Sequence, residues 1–219
     1  MLRIEIFSED RNALGEGPLW DVAEQRLYWI DSYGPAVYSC DANGKDRKSW
    51  ALPEPIGSLA LREKGGAILS LRSGFHALDF KTGEVALIAA TQPGELTPRM
   101  NDGKVDRQGR FIAGSMDFEE RNPVGKLFRL DADLSVHQLD HGIICSNGPC
   151  FSLDGKTLYF ADTGKKVWFV KTGSAIQSVP VTYVVNGEQY VLMPIGMGVG
   201  FRLFGRAGEM ATLEAKRGP

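Results

Sequence analysis

The sequence predicts an all-β protein, a β-propeller of about five blades. Three observations lead there. Glycine is abundant, with 26 residues in 219, while helical periodicity is scarce. Short runs rich in β-branched and aromatic residues recur instead, each bounded by turn residues, as strands are. These runs also recur at a steady distance. With Tyr28, Ile68, Phe111, Tyr159 and Tyr190 as markers, the first three intervals are 40, 43 and 48 residues and the last is 31. A period of that size, holding four short strands, is what a propeller blade needs.

Each element follows from its residues. "QRLYWID", "GAILSL", "RFIAGSM", "KTLYFAD" and "EQYVLM" read as the first strand of successive units. Turns such as "VAEQ", "REKGG", "DRQG", "SLDGK" and "VNGE" precede them. A second strand ending in a turn comes next in "AVYSCDANG", "FHALDFKTG", "KLFRLDADL" and "VWFVKTG", where Gly or Asn supplies the positive φ of a tight hairpin. A six-bladed ring would need about 240–270 residues, so the chain reads as an incomplete ring of about five blades, short near its end. An open blade edge exposes unpaired backbone and invites a homodimer. The tail "RAGEMATLEAKRGP" is the one helix-like stretch, a short C-terminal helix placed to cover that edge.

Composition excludes several function classes. The net charge is −2 and basic residues are scattered, which argues against nucleic acid and against an anionic membrane surface. Cys40, Cys145 and Cys150 are odd in number and lack framework spacing, so they read as reduced thiols of a cytoplasmic protein. Cys145 and Cys150 have no second ligand pair, which speaks against a zinc site. His76, His137 and His141 have no ligand spacing and read as surface or hydrogen-bonded residues. "MLRIEIFSEDRN" has acidic residues early and no apolar core, so no secretory leader is expected, and no run approaches the ~20 apolar residues of a membrane span.

Polar residues gather where the units begin. The loops entering the innermost strands of a propeller line the mouth of its channel. "LGEGPLWD" carries Glu16, "TPRMNDGKVD" carries Arg99, Asn101 and Asp102, and "ICSNGPCFSLDG" carries Asn147. "AGSMDFEE" adds Glu119 and Glu120. One carboxylate with carboxamide oxygens is a hard-oxygen set, suited to Ca²⁺ or Mg²⁺ and tolerant of Mn²⁺ or Zn²⁺. Arg99 offers a planar fork for an anionic or hydroxylated substrate.

"GEGPLWD…RLYWID", "RMNDGKVDRQGRFIAGSM" and "SNGPCFSLDGKTLYFADT" resemble the senescence marker protein / gluconolactonase family of regucalcin-like propellers, from about Leu14 to Thr163. The resemblance implies a six-bladed propeller with one divalent cation, Ca²⁺ first among the candidates, at the mouth of the channel. It implies hydrolysis of sugar lactones to aldonic acids. By the motif, Glu16 and Asn147 would ligate the metal. Arg99, Asn101 and Glu119 would contact substrate, and Asp102 would support the site from behind. The cation would polarise the lactone carbonyl while a carboxylate takes the proton of the attacking water. In the family an aspartate in a "Pro-Asp-Gly-Met" stretch ligates the metal and serves that purpose.

Here "PIGMGV" has the same skeleton with Ile195 at the aspartate. An isoleucine neither ligates a hard cation nor accepts a proton, so the motif reads as decayed and the site as impaired. A second reading is favoured. All 14 aspartates lie at or before Asp162, and charge changes from 18 basic and 24 acidic residues in 1–162 to 7 basic and 3 acidic in 163–219. "VWFVKTGSAIQSVPVTYVVNGEQYVLMPIGMG" resembles a blade of pyrroloquinoline-quinone-dependent alcohol dehydrogenases, over about Val167 to Gly198. One such blade lacks the rest of a quinone site, so no quinone is expected. On this reading residues 1–163 are lactonase-like blades and 164–219 a transplanted final blade and tail. The functional alternatives are then a lactonase with an impaired site, a calcium- or sugar-acid-binding propeller without turnover, or an incomplete chimeric propeller.

Overall fold

The computed structural model describes residues 11–94, 98–152 and 154–162, and beyond them the backbone of four strands within 181–213. The described residues form five antiparallel sheets and no helix. The first sheet runs in order through β1 (Gly15–Asp21), β2 (Arg26–Asp31), β3 (Ala36–Asp41) and β4 (Lys48–Ala51). The second holds β5 (Ile56–Leu61), β6 (Ala67–Leu71), β7 (Gly74–Leu78) and β8 (Val85–Ala90). The third holds β9 (Pro98–Val105), β10 (Phe111–Asp117), β11 (Gly125–Leu130) and β12 (Val136–Ile143). The fourth pairs β13 (Ser146–Phe151) with β14 (Leu158–Asp162). The fifth holds β15 (Val181–Val185), β16 (Glu188–Pro194), β17 (Phe201–Phe204) and β18 (Met210–Leu213).

Each sheet is a simple meander, as a propeller blade is. Burial falls from the inside of a blade outward. In the second sheet "IGSLAL" of β5 is buried over five of its six residues, whereas "VALIAA" of β8 has no buried residue. Covered on both faces, β5 therefore reads as a continuous apolar or small run, and β8 does not.

The core lies between blades. Tyr28, Ile30 and Val37 of the first sheet pack with Ile56, Leu69 and Leu71 of the second. Tyr28 stacks on Phe80 at 5.2 Å between ring centroids, and Trp50 packs tilted against the same ring at 4.5 Å. Phe75 of the second sheet meets Phe111 of the third edge-on at 5.8 Å. Ile112, Leu127 and Ile143 of the third sheet meet Phe151, Leu158 and Phe160 of the fourth. The hairpin turns are held by aspartates. Asp41, Asp79 and Asp106 each accept two backbone N–H bonds from residues just downstream.

Two sequence expectations change. The markers Tyr28, Ile68, Phe111, Tyr159 and Tyr190 all lie on the second strand of their sheets, not the first. In the first, third and fourth sheets the true first strands, β1, β9 and β13, are the polar, Gly- and Pro-containing segments that read as loops, because a bulge breaks their alternation. Within the tail expected to be helical, Met210–Leu213 is strand β18, paired with β17. Ladder pairing overrides helix propensity over so short a segment, since a helical nucleus is costly. Cys40 and Cys145 are buried, Cys150 is half-buried, and none of the three forms a disulfide. His76 is buried, with its ring nitrogens facing Gly74 O and Ser73 Oγ, while His137 and His141 are exposed. Among the described residues no helix is long and apolar enough to cross a membrane.

Candidate active site

The inner strands β1, β5, β9 and β13 lie side by side, and each is interrupted at the same level. In β1 the register jumps between Glu16 and Leu19, so Gly17 and Pro18 together oppose Trp29. In β13 it jumps between Asn147 and Cys150, so Gly148 and Pro149 oppose Phe160. Gly17 and Gly148 share one backbone conformation, with φ of 59°. Pro can occupy these positions because a bulge leaves a residue out of the ladder. In β9 the extra residues are Asn101 and Asp102, opposite Gly114. A bulge re-aims the side chains beside it, and here those are the polar residues singled out by sequence.

Hydrogen bonds connect these bulges. Arg99 is buried, and its Nη1 donates to Met100 O at 3.2 Å and to Asn101 Oδ1 at 3.1 Å. Asn101 Nδ2 donates to Ser146 O at 2.8 Å and to Asn147 Oδ1 at 3.2 Å. Asp102 Oδ2 accepts the Gly148 N–H at 2.7 Å, so a carboxylate of one blade ties down the bulge of the next. Glu16 Oε2 accepts the Ser32 hydroxyl at 3.1 Å.

The charges of Asp102 and Arg99 both reach Glu16. Burial pushes its carboxyl above the usual range; the Ser32 hydroxyl opposes this, the Asp102 charge adds to it, and Arg99 opposes it. Burial also raises Asp102, against the Gly148 N–H and Arg99. Two carboxylates thus share the field of one guanidinium, and the balance of charge favours a cation.

Glu119 stands apart from these contacts. Its side chain is exposed and pairs with Arg121 at 3.2 Å. The turn that carries it is fixed by buried Asp117, whose Oδ2 accepts the N–H groups of Arg121 and Asn122. Ile195 lies outside the described residues. Sequence reasoning passed over Ser32 and Tyr33, which follow β2, and Phe118. The guanidinium carbon of Arg99 lies 5.4 Å from the Tyr33 ring centroid. It also passed over Asp31, which accepts the N–H groups of Ala13 and Leu14 and so fixes the start of β1. Comparing "YWIDS" with "YFADT" would have found it, because Asp162 holds Ile144 and Cys145 in the same way.

The oxygens of Glu16, Asn101 and Asn147 suit a hard cation in kind. They are fewer than the six to eight that Ca²⁺ takes. Among the described residues no group of three or more His, Cys, Asp or Glu side chains gathers as a metal site.

Antiparallel meanders side by side, most of them four-stranded, with their inner strands in contact, define the architecture of a β-propeller. The chain belongs to the SMP-30/gluconolactonase/LRE-like family, which matches residues 14–189. The match ends at residue 189, beyond the 14–163 expected from the sequence motifs and inside the segment read there as a transplanted blade. Regucalcin of Xenopus laevis is 38% identical over 167 residues, 74% of this chain and 56% of that protein. The 6-deoxy-6-sulfogluconolactonase of Pseudomonas putida is 36% identical over 158 residues, 72% of this chain and 54% of that protein. The chain therefore spans little more than half the length of these curated relatives. Among solved structures, a calcium-binding regucalcin from Agrobacterium tumefaciens superposes with a TM-score of 0.79 at 21% identity, over 94% of this chain and 75% of that one. A gluconolactonase from Xanthomonas campestris superposes with a TM-score of 0.71 at 20% identity, over 93% and 76%. These superpositions support the propeller fold.

Proposed function

We propose that the chain binds a sugar lactone at the inner-strand bulges and hydrolyses it with the help of one divalent cation, Ca²⁺ foremost. The observation that carries this is the linked set Arg99, Asn101 and Asn147, with Glu16 in the same electrostatic field. Arg99 and Asn101 would hold the hydroxyl groups of the substrate, Arg99 through its planar fork. Glu16 and Asn147 would hold the cation, with Asp102 fixing the bulge behind them. When bound, the cation supplies polarisation of the lactone carbonyl. Glu16 and Asp102 are the carboxylates at hand for the proton of the attacking water, and burial raises the basicity of both. Family membership and relatives named as lactonases support the same substrate class.

Isothermal titration of the full chain with Ca²⁺, Mn²⁺ and Zn²⁺, followed by assay on gluconolactone, tests the reading. Glu16→Gln is expected to weaken divalent binding at least about tenfold, because neutral amides alone offset the dehydration of the ion poorly. The same substitution is expected to leave cation-free stability at neutral pH equal or higher. The carboxyl is raised, so the folded state holds its proton more tightly than the unfolded state does. Ionised Glu16 therefore opposes folding increasingly as pH rises through the folded pKa. Unchanged affinity in Glu16→Gln would place the ion elsewhere.

A second reading, binding without turnover, is favoured by Ile195 at the aspartate of the family motif. Ile195→Asp separates the two histories of the tail. If residues 164–219 are a transplanted blade, as we propose, the variant melts lower and gains neither Ca²⁺ affinity nor lactone hydrolysis. A tighter Ca²⁺ isotherm with faster hydrolysis would identify "PIGM" as the decayed motif instead.

A further inference from the structure

Two exposed aromatic rings meet beside the site, one of them against Arg99. Tyr33 is 48% exposed and Phe118 54%, and their ring centroids lie 6.1 Å apart at a 50° tilt. They come from different blades, Tyr33 from the end of β2 and Phe118 from the end of β10. Each is tied to the site through its neighbours. Ser32, next to Tyr33, donates its hydroxyl to Glu16, and the Arg99 guanidinium carbon lies 5.4 Å from the Tyr33 ring centroid. Buried Asp117, next to Phe118, fixes the turn on which that ring is carried.

Neither ring belongs to the three core clusters. Aromatic surface left in water beside buried polar groups is what a small-molecule site uses for its apolar wall. Arg99 ties the rings to the polar groups: its cation lies against the Tyr33 ring, while its Nη1 bonds Asn101 Oδ1. A sugar-lactone ring matches this arrangement. Its C–H face is apolar and suits an aromatic wall, while its hydroxyl groups and carbonyl lie at the rim, where polar donors are needed.

We infer that Tyr33 and Phe118 form an aromatic subsite that stacks the C–H face of the lactone ring, with Arg99 bonding its rim. This rests on the lactonase reading and adds two specificity-determining residues to it. The test uses the full chain with Ca²⁺, hydrolysis of glucono-1,5-lactone, and titration with gluconate as a readout independent of turnover. Tyr33→Ala and Tyr33→Leu are both expected to raise KM and to weaken gluconate binding about tenfold, with kcat within about twofold. Tyr33→Phe is expected to keep wild-type values, since the ring face and not the hydroxyl does the stacking. Phe118→Ala is expected to raise KM about threefold. Ca²⁺ affinity should be unchanged in all four variants. Wild-type KM and gluconate affinity in Tyr33→Ala and Tyr33→Leu would overturn the subsite and leave the lactonase reading standing. A wild-type chain that neither hydrolyses gluconolactone nor binds gluconate would overturn both.

Discussion

Replacing Asp31 by alanine is expected to destabilise the protein by about 3–5 kcal/mol in chemical denaturation at neutral pH. Its carboxylate is buried and accepts four backbone N–H groups, from Ala13 at 2.8 Å, Gly34 at 2.9 Å, Leu14 at 3.0 Å and Tyr33 at 3.2 Å. Burial works against the charge, but bonds from Gly34, Leu14, Ala13 and Tyr33 outweigh it and hold the pKa below its usual value. Alanine would leave these donors with no acceptor of comparable strength, and each one left buried and unpaired costs about 1–3 kcal/mol. The pH dependence has a definite sign. A depressed carboxyl contributes its stabilisation above the unfolded pKa, about 3.9, and loses it as pH falls through the lower folded pKa. The gap between parent and variant should therefore narrow below about pH 4. A constant gap across that range would show that the charge of Asp31 is not what holds the strand. The variant should also bind substrate poorly, because Asp31 fixes both the start of the strand bearing Glu16 and the loop bearing Ser32 and Tyr33.

Gly57→Ala is the second large effect expected. A Cβ at Gly57 would lie 2.5 Å from Asn101 N and closer still to Asn101 O and Met100 C, all backbone atoms that cannot turn aside. Here β5 and β9 meet directly, helped by the Ser58 hydroxyl donating to Asn101 O at 3.1 Å. Forcing the strands apart should cost about 3 kcal/mol. It should also displace Arg99 and Asn101, weakening gluconate binding more than about tenfold as the fork loses its alignment. Gly15→Ala is the control, since the atoms nearest its added Cβ, at 3.2 Å, belong to the movable Asn12 side chain. Equal melting of Gly57→Ala and the parent would mean that the inner strands tolerate separation.

Much of the architecture was legible in the sequence because its signals are local. Strands such as "RLYWID" and "RFIAGSM" alternate or run apolar, and turns such as "DANG" and "DRQG" carry their own aspartate and glycine. The repeat of these two signals fixes both the blade period and the five sheets. Arg99, Asn101, Asp102, Asn147 and Glu16 could be singled out because their residue types fit one chemistry in one register. Which strand they occupy could not be read. In β1, β9 and β13 a bulge breaks the period of two, so the innermost strand looks like a loop, and its partner is mistaken for the first.

Tertiary structure alone decided how these residues meet. That Asn101 reaches Asn147 and that Asp102 caps the Gly148 bulge depend on the angle and distance between neighbouring blades, and that Tyr33 meets Phe118 depends on how the first blade faces the third. No local pattern encodes that relation, because it is set by interlocking of side chains such as Phe75 with Phe111 and by the close approach of backbone at Gly57. Glu119 shows the same limit from the other side. Its motif position points to substrate, and only the structure shows its side chain exposed, paired with Arg121 and next in sequence to Phe118. Sequence determined which groups are present and how often the unit repeats; packing between blades determined which of them share a site.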